Sequence, residues 1–229
     1  MFSDWTAYFW PQITDPWTLA RGIYNLPWLF VVLQVLRPLG PWLALAILQG
    51  ISVGVVLKMG LELRLPAWRM AMVVFSPPVL WGLFMGQFDG LFLLAYLVPP
   101  CAAVFLALGK PQVAVCAMVT AWQHRGAAIV AILLILSAWL VWGWPFACWG
   151  LPLTEGWNWA WWPWVGFPLL PLLLGDRRCR LFVSPFLFPY AGIQSLVGPM
   201  LAMATLPAWA FVGIWLVFWV NWARMVRLI

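Results

Sequence analysis

The sequence predicts an all-α integral membrane protein of about seven membrane helices, several of them broken or re-entrant. Of its residues, 66% are hydrophobic and only 8% are charged, and the mean hydropathy is +0.96. Apolar runs alternate with short basic clusters, a pattern typical of polytopic membrane proteins. Residues 1–26 hold scattered aromatic and acidic side chains, so we expect an outward-facing amphipathic segment followed by a single polytopic membrane domain over residues 27–229.

Prolines divide the apolar runs into elements. Arg37-Pro38 and Gly40-Pro41 split the first run into a short re-entrant or interfacial helix and a spanning helix near 41–57. We expect Ser76-Pro77-Pro78 and Pro99-Pro100 to interrupt the second and third runs. The third run has 22 residues, about 33 Å as a helix, which is enough for one kinked crossing. In order, the runs are 27–57, 70–85, 88–109, 111–122, 127–150, 161–175, 181–205 and 208–223.

The charges predict the orientation of the chain, because basic residues collect on the cytoplasmic side. We expect the N-terminus outside and the C-terminus in the cytoplasm, in a prokaryotic inner membrane. The residues expected outside are Asp4, Asp15, Asp89 and Glu155. Those expected inside are Lys58, Arg64, Arg69, Arg125, Arg177, Arg178, Arg180, Arg224 and Arg227, with Lys110 at an inner helix end.

Several classes of function are excluded or disfavoured by composition. The net charge of +6 is spread over short clusters between apolar runs, which argues against nucleic acid as a partner. The cysteines form no CxxC pair and His124 is the only histidine, so their spacing predicts no metal site. We therefore expect no cofactor, with a divalent metal ion left open, and membrane lipids as partners. The 21 tryptophans indicate an aromatic belt at the membrane interface.

One group of polar motifs interrupts the apolar sequence. Asp89 lies in Gly86-Gln87-Phe88-Asp89-Gly90 and Lys110 in Gly109-Lys110-Pro111-Gln112, both within stretches that otherwise suit hydrocarbon. A charge at the centre of a membrane helix costs about 2.5–3.5 kcal/mol on insertion scales. Such charges therefore mark either a functional cavity or a membrane edge.

In their order along the chain, these motifs resemble the GT-C glycosyltransferases, the mannosyltransferase-like group that uses polyprenyl-phosphate sugars. The chain is similar to a shortened member that lacks the usual first membrane helix, and the resemblance covers roughly residues 1–200. The motifs that carry it are Asp4-Trp5 through Tyr8, Asp15-Pro16-Trp17, Gly22 to Trp28, Ser76-Pro77-Pro78, Gly86 to Asp89, Lys110-Pro111-Gln112, Ser184-Pro185, Pro189-Tyr190 and Pro199.

The resemblance implies transfer of a sugar from a polyprenyl-phosphate donor on the outer face. Asp4 matches the position of the catalytic base, and Asp15 is the reserve candidate. Gln87 and Asp89 would bind sugar or acceptor hydroxyls, and Lys110 would contact the lipid phosphate. Apart from the resemblance, Glu155, in a tryptophan-rich loop, could join Asp4 and Asp89 in an outer acidic cavity.

Structural interpretations of the same residues stay open. Asp4 could cap a helix, Asp15 could start a turn, and Gln87 with Asp89 could satisfy the backbone of a broken helix. Lys110 could extend from a helix end to the membrane surface. The alternative function is a non-catalytic integral subunit of a larger membrane assembly. A transporter is disfavoured because the sequence shows no internal repeat.

Overall fold

The computed structural model of the chain describes residues 2–17, 28–143, 159, 164–188 and 191–226. These residues form helices and turns without a β-strand, which confirms the all-α fold class. The α-helices are Trp10–Thr14, Trp28–Leu33, Gly40–Glu62, Ala67–Val74, Pro77–Met85, Pro100–Gly109, Pro111–Ala114, Met118–Ala121, Arg125–Trp142, Gly166–Leu169, Arg177–Val183, Val197–Met203 and Ala208–Val226. Segments of 3₁₀- or π-helix are Trp5–Phe9, Gln34–Leu39, Asp89–Tyr96, Val115–Ala117, Leu170–Leu174, Ser184–Leu187 and Ile193–Leu196.

Two helical stretches of the described chain, Trp28–Glu62 and Arg125–Trp142, are long and apolar enough to cross a membrane. Ala67–Val74 and Pro77–Met85, bent by 43° at their junction, make a third if the pair is one span. Further apolar helices have only 10–17 residues. The count of about seven crossings therefore stays a prediction.

The chain breaks at Ser76-Pro77-Pro78, as predicted. Ser76 has an extended backbone between the two helices, and its hydroxyl donates a hydrogen bond to the Val73 carbonyl at 2.6 Å. In a continuous helix this carbonyl would accept from residue 77, but proline has no N–H. The serine side chain therefore compensates for the lost backbone bond.

Residues 89–109 form a helical hairpin, which corrects the single crossing expected for this run. The 3₁₀-helix Asp89–Tyr96 ends before Pro99-Pro100, and the helix Pro100–Gly109 packs back along it. At rises of about 2.0 and 1.5 Å per residue, each arm is roughly 15 Å long, about half the hydrocarbon thickness. The reversal occurs because the two prolines end one helix and suit the first turn of the next.

A second reversal occurs within residues 177–203. The helix Val197–Met203 packs against Arg177–Val183 after the chain has turned at Ile193–Leu196. Gly198 permits this close approach, because a Cβ atom there would lie 2.8 Å from the Leu181 carbonyl oxygen. The turn brings Ser195 towards Asp89 in the interior.

Two of the basic clusters lie at one end of the molecule, which we call the basic end. Arg177 lies 3.8 Å from Glu62. Arg69 donates hydrogen bonds to the carbonyls of Ala204 and Leu206 at 2.6 and 2.7 Å. The membrane side that this end faces stays a prediction.

The C-terminal helix contradicts the expected position of Arg224. The Trp215 indole donates to the Met72 carbonyl at 2.8 Å, and the Trp222 ring lies 6.0 Å from that of Trp81. Ala208–Val226 therefore runs in the same direction as residues 67–85 and carries Arg224 away from the basic end. The charge pattern predicted the wrong end of the molecule for Arg224. Each helical hairpin returns the chain to the end from which it came, and this changes the end that a later helix reaches. Arg227 lies outside the described residues.

Candidate functional site

Five side chains form a buried polar cluster: Asp4, Gln87, Asp89, Lys110 and Ser195. The Lys110 ammonium donates hydrogen bonds to the Asp89 carboxylate and, at 2.6 Å, to Gln87 Oε1. Gln87 Nε2 donates to Asp4 Oδ2, and the Ser195 hydroxyl donates to Asp89 Oδ2 at 3.1 Å. Asp89 and Lys110 are each 4% exposed, whereas Asp4 is half-buried. The cluster is a continuous chain of hydrogen bonds with one cation between two carboxylates.

The Asp89 end of the cluster lies level with the middle of the longest helix. Gly90 packs directly on Ser52, because a Cβ atom at Gly90 would lie 2.6 Å from the Ser52 hydroxyl oxygen. Ser52 is near the centre of the 23-residue helix Gly40–Glu62, roughly 15–18 Å from each end. This corrects one expectation: Lys110 does not lie at an inner helix end away from Asp4 but beside Asp89 in the interior of the protein. Asp89, expected at or below the outer surface, is 4% exposed. The hairpin is the reason, because it returns Lys110 to the level of Asp89.

The N-terminal segment, residues 2–15, brings Asp4 to the cluster. The Phe2 N–H donates to the Phe84 carbonyl at 2.8 Å, and the buried Trp5 donates from its indole to the Pro41 carbonyl at 3.0 Å. Gly86 makes the docking possible. Its φ of +80° ends the helix Pro77–Met85, and a Cβ atom there would lie 2.5 Å from the Trp5 Cβ.

Sequence reasoning missed Gln49 and Ser195. Gln49 Nε2 donates to the carbonyls of Leu83 and Gln87 at 2.8 and 3.4 Å, and so satisfies backbone groups where the helix Pro77–Met85 ends. Each could have been noticed in the sequence as a polar residue within a largely apolar run. Gln49 lies in the run 27–57 and Ser195 in the run 181–205.

Burial of the Asp89–Lys110 pair is compensated by several contacts. Gln87 and Ser195 satisfy further donors and acceptors of the pair, and the Lys110 ammonium lies 5.7 Å from the centroid of the Phe9 ring. Removing one partner of such a pair leaves an uncompensated buried charge and costs about 3–5 kcal/mol. The pair therefore joins the two ends of the hairpin.

Asp4 has a different electrostatic environment. Burial raises the pKa of its carboxyl group, and the nearby Asp89 charge acts in the same direction. The hydrogen bond from Gln87 and the Lys110 charge oppose this rise. Asp4 is thus a carboxylate whose direct cluster partner is a neutral amide, and its proton affinity is increased.

One predicted site residue, Asp15, is not among the five side chains of the cluster. Asp15 is exposed just beyond the helix Trp10–Thr14, next to Pro16, whose carbonyl accepts from the Trp142 indole at 2.7 Å. Of the two N-terminal aspartates, Asp4 is therefore the one bonded within the cluster. Glu155 lies outside the described residues. Within the described ranges, no group of three or more His, Cys, Asp or Glu side chains is arranged to hold a metal ion.

A small cleft of about 20 Å³, with room for about one water molecule, lies beside Gln87 and Asp89. Its polar lining also includes Ser52 and Gln194, and its walls are mostly valine, proline and leucine side chains. The cleft could accept a hydroxyl group or water next to the Asp89 carboxylate.

Comparison with models of protein families finds no match for this chain, and comparisons with curated proteins and with solved structures find none either.

Proposed function

We propose that this chain is a membrane-embedded GT-C-like glycosyltransferase that uses a polyprenyl-phosphate sugar, with Asp4 as its general base. The observation that carries the proposal is the half-buried Asp4 carboxylate, held by Gln87 beside a buried ion pair. An ionisable group among membrane helices is a functional candidate in its own right. Helices that end at the cluster give it the irregular backbone that membrane binding sites use.

The chemistry needs a base with raised proton affinity. Asp4 would take the proton of the acceptor hydroxyl while the acceptor oxygen bonds to the anomeric carbon of the sugar. The bond from that carbon to the lipid phosphate breaks, and the phosphate leaves with the electron pair. Burial makes Asp4 a stronger base, whereas Lys110 already neutralises Asp89.

The remaining site residues would bind and position. Gln87 and Asp89 both line the cleft, where sugar or acceptor hydroxyls could reach them. The predicted contact between Lys110 and the lipid phosphate would require the phosphate to displace Asp89 or Gln87 from a side chain that is 4% exposed. We therefore propose a positioning role for Lys110.

The test is transfer by the purified protein in liposomes, with a panel of radiolabelled polyprenyl-phosphate sugars and lipid extract as acceptor. Asp4→Asn should lower the rate by about 10²–10⁴-fold, the usual contribution of a general base. The matched control is Asp15→Asn, which should keep wild-type activity. Transfer that survives Asp4→Asn, or that is absent with every donor, contradicts the proposal.

A non-catalytic subunit is the second candidate. It is supported by the mutual neutralisation of Asp89 and Lys110 and by exposed aromatic side chains such as Trp164 and Trp209, which are 84% and 80% exposed. This candidate predicts that Asp4→Asn leaves function intact. It also predicts that a photoreactive amino acid at position 209 cross-links to one defined membrane protein in native membranes. Cross-linking to lipid alone would contradict this candidate.

A further inference from the structure

The Gln87 amide connects Lys110 to Asp4. Its Oε1 accepts from the Lys110 ammonium at 2.6 Å, and its Nε2 donates to the Asp4 carboxylate. Gln87 is 7% exposed, so its amide is largely buried between these two partners.

Only one orientation of this amide suits both neighbours. A lysine ammonium has three donors and no acceptor, so the amide oxygen must face Lys110. The reversed amide would direct its NH₂ group at the ammonium and its oxygen at the Asp4 carboxylate, which creates two repulsive contacts. We propose that Lys110 is a positioning residue that controls the protonation of Asp4 by fixing the orientation of the Gln87 amide.

The charged groups around Asp4 allow this effect to be isolated. Lys110 and Asp89 act on the Asp4 carboxyl with opposite signs, and the other polar contacts of this carboxyl come from Gln87 and Ser3. Neutralising Lys110 and Asp89 together therefore removes two opposed charges while it releases the amide. A change in the titration midpoint of Asp4 then reports mainly on the hydrogen bond from Gln87.

The inference deepens the proposed function and rests on it for its catalytic meaning, but its test needs no substrate. Protein labelled with ¹³C at the aspartate carboxyl carbons is titrated by NMR in micelles, and Asp4→Asn identifies the Asp4 resonance among four aspartates. Failure of this titration and failure of sugar transfer are thus separate results.

In Asp89→Asn/Lys110→Met, the Asp4 titration midpoint should rise by at most about one pH unit, the shift expected for complete loss of a hydrogen bond to a carboxylate. A wild-type midpoint in this variant, if it folds, overturns the control by Lys110. Gln87→Leu, which leaves the ion pair in place, should give a similar rise. The variant that combines all three substitutions should raise the midpoint little further. Lys110→Arg keeps a donor-only cation and should retain the wild-type midpoint.

Ser195→Ala is the matched control, because Ser195 contacts Asp89 on its other carboxylate oxygen. It should leave the Asp4 midpoint unchanged. An unchanged midpoint in Gln87→Leu overturns the proposal even if the paired variant does not fold. A shift in Ser195→Ala equal to that in Gln87→Leu also overturns it.

Discussion

Lys110 donates to the Asp89 carboxylate across 21 positions of sequence, at the open end of the hairpin formed by residues 89–109. Both charged groups are buried, and the attraction between them is the main compensation for their lost hydration. The contact is possible only because the chain reverses at Pro99-Pro100. The hairpin and the ion pair therefore depend on each other.

The first prediction follows from this dependence. Lys110→Met or Asp89→Asn alone should destabilise the protein by about 3–5 kcal/mol, because one buried charge stays unpaired. The double variant should recover most of the loss. Unfolding midpoints in mixed micelles measure the effect.

The surface pair Lys58 and Glu62 is the control, since its side chains are 60% and 38% exposed. Lys58→Met should leave the midpoint nearly unchanged. If Lys110→Met is as mild as Lys58→Met, the two ends of the hairpin are not held by the pair.

Composition and proline positions were sufficient to predict the all-α class and the breaks at Ser76-Pro77-Pro78 and Pro99-Pro100. They could not predict the hairpin, because an apolar run of 22 residues suits one crossing or two half-length arms equally well. The overlooked signal was electrostatic: Asp89 and Lys110 stand near the two ends of this run, and their burial costs least if they meet.

The site was predicted only in part for a related reason. Asp4, Gln87, Asp89 and Lys110 were identified by residue type and motif, and a transferase was expected to place Asp89 and one N-terminal aspartate in one cavity with Gln87 on its wall. The contact of Lys110 with Asp89 and Gln87 was not expected. Ser195 and Gln49 act through tertiary contacts to residues far away in sequence, and no local pattern specifies such contacts.

The second prediction concerns Gly86. Gly86→Ala should destabilise the protein, because alanine at φ +80° costs about 1–2 kcal/mol and its Cβ would collide with Trp5. The N-terminal segment should then detach, with faster proteolysis after Trp5. Gly50→Ala is the control, since nothing lies within 4 Å of a Cβ there. Equal proteolysis of the two variants would contradict the docking role of Gly86.

The third prediction concerns topology. Ser3 contacts Met85, and Ala208–Val226 runs parallel to residues 67–85, so Ser3 and Arg224 should lie on the same side of the membrane. In a cysteine-free background, Ser3→Cys and Arg224→Cys should react with an impermeant maleimide from one side, and Arg64→Cys from the other. Labelling of Arg224→Cys together with Arg64→Cys would refute this orientation.

The fourth prediction concerns the N-cap of the helix Arg177–Val183. Asp176 accepts from the backbone N–H groups of Cys179 and Arg178 at 3.1 and 2.9 Å, and these bonds lower the pKa of its carboxyl. The folded pKa lies below the unfolded one, so the cap stabilises above pH 3.8 and its contribution is lost as pH falls through the folded pKa. Asp176→Ala should cost about 1 kcal/mol at neutral pH, whereas Asp176→Asn keeps a cap without this acid dependence. Acid unfolding curves that coincide for all three proteins would exclude the cap.

The last prediction uses the opposite shift at Asp4. Burial raises the pKa of this carboxyl in the docked N-terminal segment, so the docked state binds the proton more tightly than the detached one. Docking should therefore be strongest at low pH and should weaken as pH rises from 3.8 through the docked pKa, above which it stays constant. Hydrogen exchange at the Phe2 and Thr6 amides, which bond to Phe84 and Phe2, should accelerate over this range beyond its intrinsic pH dependence. Asp4→Asn should abolish the excess, whereas Asp15→Asn should retain it. A pH-dependent excess that persists in Asp4→Asn would assign the effect to another group.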